Sequence, residues 1–138
     1  MNKFIWTEKY SVGVKTIDEQ HKRFFEIANS IVDLEEKDAS REELLAALGQ
    51  LGDYALYHLN TEEKYFDELH YADAERHVAI HNQYREKIKD YFEKARNEKT
   101  DIKELAKEIA SYSNDWLSYH ILIMDKQYTK FFIEHGLK

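Results

Sequence analysis

Apolar residues recur at three- and four-residue intervals in three long stretches of this chain, and short polar signals open these and a fourth. An α-helix turns about 100° per residue, so period and signals together predict four helices. The first runs from Thr16 to about Glu36. Phe24, Ile27, Ile31 and Leu34 form its stripe, and His21 extends it. Thr16-Ile17-Asp18-Glu19 has the form of a capping box, in which side chains of the first turn satisfy its orphan backbone N–H groups. Ser40-Arg41-Glu42-Glu43 is a second box, opening a helix to about Leu69. Leu44, Leu48, Leu51, Ala55, His58, Glu62 and Phe66 follow one another down one side of it.

Asp73 is placed to cap a third helix to about Arg96, with Val78, His81, Tyr84, Ile88 and Tyr91–Phe92 on its stripe. Asp101-Ile102-Lys103-Glu104 repeats the box for a fourth, and Gly136 supplies a stop. Gly49 and Gly52 fall inside the second helix, where each costs up to about 1 kcal/mol against Ala. Close packing against a neighbour is the expected compensation at both. Residues Met1 to Lys15 lack a helical period and contain Val12-Gly13-Val14, which predicts an extended arm laying Phe4, Trp6 and Tyr10 on the body. Short connections between helices of similar length favour an all-α, up-down-up-down antiparallel four-helix bundle. The expected organisation is one domain, with the arm at 1–15 and the bundle at 16–138.

Composition narrows the chemistry more than the fold. The 138 residues are 43% hydrophobic and 34% charged, a globular balance, with no Pro to break long helices. Absence of Cys excludes disulfides, thiolate iron–sulfur ligation and Cys-containing zinc sites. A formal charge of −7 argues against nucleic-acid binding. In the Lys- and Arg-rich stretch Tyr84–Lys99, acids alternate with the bases, as on a solvated helix face. No apolar run approaches a membrane span and Met1–Ser11 has no secretory core, so a cytoplasmic monomer with no partner domain is expected.

Five of the seven histidines carry the chemistry. They are His21, then His58 with Glu62, His77 with His81, and His120 with Asp125. Residues four apart on a helix stand about 40° apart on one face. Alone, each is a weak signal: a single His on an apolar stripe is more often core than ligand, and a His–Glu pair is often a surface contact. Their levels in an antiparallel bundle decide otherwise. His21 and His77–His81 lie near the starts of helices one and three, and His58–Glu62 and His120–Asp125 lie late in helices two and four. All seven therefore meet at one end, where five buried imidazoles without a metal would be hard to satisfy. The Asp125 spacing is irregular, because five residues turn about 140°. Either its carboxylate approaches from a different angle or a local π-bulge realigns it. His70 and His135 fall outside the set and are expected at the surface.

The pattern His21, HxxxE, HxxxH and HxxxxD resembles the hemerythrin family, particularly its single-domain bacterial members. Asp18-Glu19-Gln20-His21-Lys22, Trp116-Leu117-Ser118-Tyr119-His120-Ile121 and Trp6 in the arm are similar as well. The resemblance spans essentially the whole chain and implies a non-haem di-iron centre. One iron would take His77, His81 and His120, and the other His21 and His58. Glu62 and Asp125 would bridge the two beside an oxo or hydroxo group, leaving one coordination position vacant on the two-histidine iron.

Reversible binding of O₂ there, for storage, transport or scavenging, is the implied function, with NO as a second possible ligand and no enzymatic role. Phe24, Leu59, Leu117 and Ile121 would keep the pocket dry. Trp116 reads as packing; Tyr128 is left open between packing and support of the ligands. The alternatives are a di-iron oxidase, peroxidase or NO-handling enzyme, or a sensor of O₂ or redox state. Five neutral imidazoles against two carboxylates disfavour high-valent oxidation chemistry, for which ferritin-like sites supply four Glu. Zinc would be redox-silent and would not need seven ligands.

Overall fold

The computed structural model describes residues 3–137; Met1 and Asn2 of the expected arm and Lys138 of the expected bundle lie outside the described residues. Four long helices pack as an antiparallel bundle: α1 (Lys15–Glu36), α2 (Arg41–Leu69), α3 (Ala74–Arg96) and α4 (Ile102–Tyr119). The last continues through a π-helical segment, His120–Asp125, into α5 (Lys126–Glu134). There is no strand among the described residues, and none of the helices described is long and apolar enough to cross a membrane. The all-α four-helix bundle expected from the periodicity is the fold.

Local signals account for the helix ends unequally. At α2 the capping box is complete: Glu43 N–H donates to Ser40 Oγ at 3.2 Å, and Ser40 N–H to Glu43 Oε1 at 3.3 Å. At α4 half of it forms, with Glu104 N–H donating to Asp101 Oδ1 at 3.2 Å. Asp73 stands at the cap of α3 without a capping hydrogen bond from its side chain. The box expected at Thr16 does not form, and α1 begins one residue earlier, after Val14. Asp18 is engaged elsewhere: its Oδ1 accepts from Val12 N–H at 2.8 Å and its other oxygen from the Ser11 hydroxyl. This carboxylate ties the arm to the helix instead of capping the helix with Thr16.

The arm packs on the body as expected but is not wholly extended, since Glu8–Tyr10 make a 3₁₀ turn. Phe4 stacks on Phe25, its backbone N–H donates to Asn29 Oδ1 at 2.9 Å, and its carbonyl accepts from Asn29 Nδ2 at 2.8 Å. Trp6 is half-buried beneath Lys22, whose Nζ lies 4.5 Å from the ring centroid. At the far end of the bundle, the Arg41 guanidinium donates to the carbonyls of Asn97 and Glu98 at 2.8 and 3.1 Å, fixing the α3–α4 connection to the start of α2.

The stripe of α2 is buried at every position read from the sequence, and those of α1 and α3 nearly so; Leu34, Val78 and Phe92 are half-buried. The two helical glycines differ. A Cβ on Gly52 would meet Ile88 Cγ2 at 3.3 Å, so α3 does approach α2 closely there. A Cβ on Gly49 would meet nothing within 4 Å, which corrects the expectation of close packing at that residue.

Candidate metal centre

Glu62, His77, His81, His120 and Asp125 bring one donor atom each within 4.8 Å of one another. His21, His58, Glu62 and Asp125 do the same on the other side, so both carboxylates belong to both groups. All seven side chains are buried. His70 and His135 are exposed, as expected.

Helix geometry explains the convergence. His58 and Glu62 are one turn apart on α2, as are His77 and His81 on α3. On the fourth helix the backbone changes to π geometry over His120–Asp125. Its i→i+5 repeat brings residues five apart onto one face, resolving the irregular spacing in favour of the bulge. His77 Nε2 and His120 Nε2 both reach Asp125 Oδ1, at 2.9 and 3.0 Å, while His21 Nε2 lies 3.1 Å from Asp125 Oδ2. Glu62 faces the same way between the two groups, with Oε1 2.7 Å from His58 Nε2 and Oε2 3.6 Å from His77 Nε2.

The approaches between imidazoles and the two carboxylates do not meet hydrogen-bond geometry. His21 Nε2, His58 Nε2 and all four oxygens of Glu62 and Asp125 are buried without a hydrogen-bond partner. The Nε2 atoms of His77 and His81 each lie about 3 Å from that of His120 (3.0 and 3.1 Å). Buried polar atoms are normally paired, and so many imidazole nitrogens and carboxylate oxygens crowded around a common point are the arrangement of ligands around a cation. The donor set fits metal ions that accept both nitrogen and oxygen, such as iron.

Charge in the metal-free cluster is shared unevenly. Burial opposes protonation of His21, but contact with Asp125 and Glu62 outweighs it and raises the imidazole from 6.5 to about 9. His77 is opposed by burial and raised overall by Asp125. Burial dominates at His58 and His81 and lowers both. Burial pushes both carboxylates up, and Asp125 also pushes Glu62 up, yet the surrounding imidazoles hold both well below the ordinary range.

Around the ligands, four contacts add to the sequence reading. His58 Nδ1 lies 2.8 Å from Gln20 Oε1, and Gln20 Nε2 donates to Thr61 Oγ1 at 3.3 Å. His81 Nδ1 lies 2.7 Å from Glu63 Oε2, which also pairs with Arg85 Nη1 at 2.8 Å. A hydrogen bond at Nδ1 fixes the tautomer that leaves Nε2 free to bind metal. Gln20 and Glu63 each adjoin a ligand in sequence, and that adjacency was the available signal. Trp116 is more than remote packing, because its ring lies on the His120 imidazole, 4.5 Å between centroids. Tyr128 stacks at 5.7 Å on His77, with its hydroxyl buried and unpartnered; burial raises its pKa far above the ordinary value.

Phe24, Leu59, Leu117 and Ile121 are fully buried, with Phe24 edge-on to His58 at 6.0 Å. A surface groove of about 440 Å³ between α2 and α3, lined by Gly52, Leu56, Ile88 and Phe92 among others, contains none of the seven donors.

Residues 12–132 match the hemerythrin HHE cation binding domain. The chain belongs to the hemerythrin family. Hemerythrins bind O₂ at a di-iron site, and the cluster of His, Glu and Asp lies within the matched span. A bacteriohemerythrin of Clostridium acetobutylicum is 25% identical over 128 residues, covering 91% of this chain and 98% of the relative. A hemerythrin-like protein of Naegleria gruberi is 26% identical over 125 residues, covering 91% and 90%. Among solved structures, a wild-type hemerythrin superposes with a TM-score of 0.82 at 27% identity, over 94% of this chain and 97% of that one.

Proposed function

We propose that this hemerythrin holds two iron ions and binds O₂ reversibly at one of them, without acting as an enzyme. The observation that carries the reading is the unequal division of the donors. Three imidazoles stand on one side of the shared carboxylates and two on the other. In this reading His77, His81 and His120 would hold the first iron, His21 and His58 the second, and Glu62 and Asp125 would be shared between the two beside an oxo or hydroxo group. With one imidazole fewer, the second iron keeps a position for a diatomic ligand, O₂ or NO. When bound, the iron pair supplies the electrons that reversible O₂ binding requires.

The chain's own residues hold the donors and exclude water. Gln20 and Glu63 keep the Nδ1–H atoms of His58 and His81 turned outward, so that their Nε2 atoms face the centre. Phe24, Leu59, Leu117 and Ile121 are assigned to the wall of the ligand pocket, where a dry, apolar lining slows proton-assisted oxidation of the irons. Five neutral imidazoles favour release of the ligand over its further reduction.

The test is a visible spectrum of the iron-loaded protein, reduced without air, exposed to O₂ and then stripped of it. A charge-transfer band that appears and vanishes over repeated cycles is the expected result. One-way conversion to a ferric form would move the protein to an oxidase, peroxidase or redox-sensing role. Lack of any iron-dependent band would remove the di-iron reading.

A further inference from the structure

Oxidisable aromatic rings extend from one of the proposed ligands towards solvent. On α4 and the segment after it, Tyr112, Trp116 and His120 stand four residues apart on one face. The Trp116 indole lies flat on the His120 imidazole, their planes 9° from parallel. From α3, Tyr84 packs against Trp116 at 4.6 Å between centroids and against Tyr112 at 5.9 Å, the two phenol rings 12° from parallel. His120 and Tyr84 are buried, whereas Trp116 and Tyr112 are half-buried. Lys87 Nζ sits 5.4 Å from the centre of the Tyr112 ring and marks the wet end of the series.

Core aromatics elsewhere in the bundle include phenylalanine pairs such as Phe66 and Phe132, whose rings are hard to oxidise. Here the rings are one indole and two phenols, in contact from the ligand to the surface. Electron exchange between π systems is efficient across such contacts and falls steeply with separation. We propose that the series His120–Trp116–Tyr84–Tyr112 is an escape route for oxidising equivalents that arise at the metal centre. The inference rests on the di-iron reading, since a site handling O₂ needs protection when a reaction goes astray.

The step is a one-electron transfer. An electron passes from Trp116 through His120 to the over-oxidised centre, and Tyr112 refills Trp116. Tyr84 acts as a bridge and not a stopping point, because its hydroxyl meets only the Ser113 hydroxyl, at 2.7 Å, and both residues are buried. Its hydroxyl is thus shielded from direct contact with water. Tyr112 is half-buried, so on oxidation its phenolic proton leaves to solvent. The resulting phenoxyl radical takes a hydrogen atom from a soluble thiol, which becomes a thiyl radical. In sum, one electron moves from thiol to centre and one proton is released.

The conduction can be tested without metal. Trp6→Phe leaves Trp116 as the sole tryptophan. In this metal-free protein, azide radicals from a radiolysis pulse should oxidise Trp116. The indolyl radical should then convert to a phenoxyl radical in a first-order step independent of protein concentration, with solvent balancing the protons. Tyr84→Phe keeps the bridging ring and should keep the step. Tyr84→Leu should abolish it, and Tyr112→Phe should remove its phenoxyl product even if the Leu variant fails to fold. Decay that is only second-order, or rates unchanged in Tyr84→Leu and Tyr112→Phe, would overturn the conduction while leaving the iron centre as proposed. Radical transfer in a chain that binds no iron would overturn the protective role. In iron-loaded protein cycled through air, Trp116→Phe should accumulate more oxidised histidine at the centre by mass spectrometry; equal damage would also overturn that role.

Discussion

His58 and His81 each turn one nitrogen into the centre and hold the other by a hydrogen bond, but with chemically different partners. His58 is held by the neutral amide of Gln20, His81 by the Glu63 carboxylate that Arg85 partly neutralises. Such partners commonly contribute about 10–100-fold to metal affinity. Gln20→Ala should lower iron affinity by about that range in competition with a chelator, with helicity unchanged; an equal affinity would reduce Gln20 to a packing residue. Glu62 belongs to both donor groups, so in the di-iron reading its loss would strike both ions. Glu62→Ala should not retain a paired centre, and elemental analysis should find at most one tightly held metal per chain. Leu117 is fully buried and lies three residues before His120. In Leu117→Tyr the hydroxyl should wet or narrow the ligand pocket, hastening autoxidation or altering O₂ release in stopped-flow measurements. Unaltered rates would return Leu117 to the ordinary core.

At the scale of elements, the helices are set by apolar period, and their irregularities fall where function or packing intervenes. The π segment is the clearest case. An α-helix would turn Asp125 away from His120, and the wider i→i+5 turn brings both to the centre. The helical glycines separate cost from use. Gly52 accommodates Ile88, whereas Gly49 has open space where a Cβ would stand. Gly49→Ala should therefore stabilise the metal-free protein by about 0.5–1 kcal/mol in urea unfolding. Gly52→Ala should gain less or lose stability, because Ile88 must give way. Equal effects at the two positions would contradict this division.

For the whole molecule, the donor cluster couples protonation to folding, and metal loading would couple to both. His21 is raised from 6.5 to about 9 by its carboxylate neighbours, so its contribution to metal-free stability is full below 6.5 and lost as pH rises through about 9. Glu62 and Asp125 are lowered, so theirs is present above the ordinary carboxylate range and lost in acid. His58 and His81, also lowered, contribute fully above 6.5 and lose that contribution as pH falls further. Metal must displace the proton held on His21. Apparent iron(II) affinity should therefore rise with pH towards about 9, by about tenfold per proton displaced and pH unit. Calorimetry in buffers of different ionisation enthalpy should detect proton release on loading; metal uptake without it would place the cluster in a different charge state.

Much of this was legible in the chain because helices write their period into local sequence. Three apolar stripes, the polar start of a fourth helix, short connections and the levels of His21, His58, Glu62, His77, His81, His120 and Asp125 suffice to predict a bundle with its donors at one end. The Ser40 box was equally readable, since both its partners lie within four residues. Other features depended on partners distant in sequence or on backbone adjustment. Asp18 was taken from the Thr16 box by the arm, and Gly49 and Gly52 were distinguished only by what α3 places opposite them. Gln20 and Glu63 reach their histidines across helix interfaces. The local pattern of the chain determined which residues face inward; packing of one helix against another decided which of them touch.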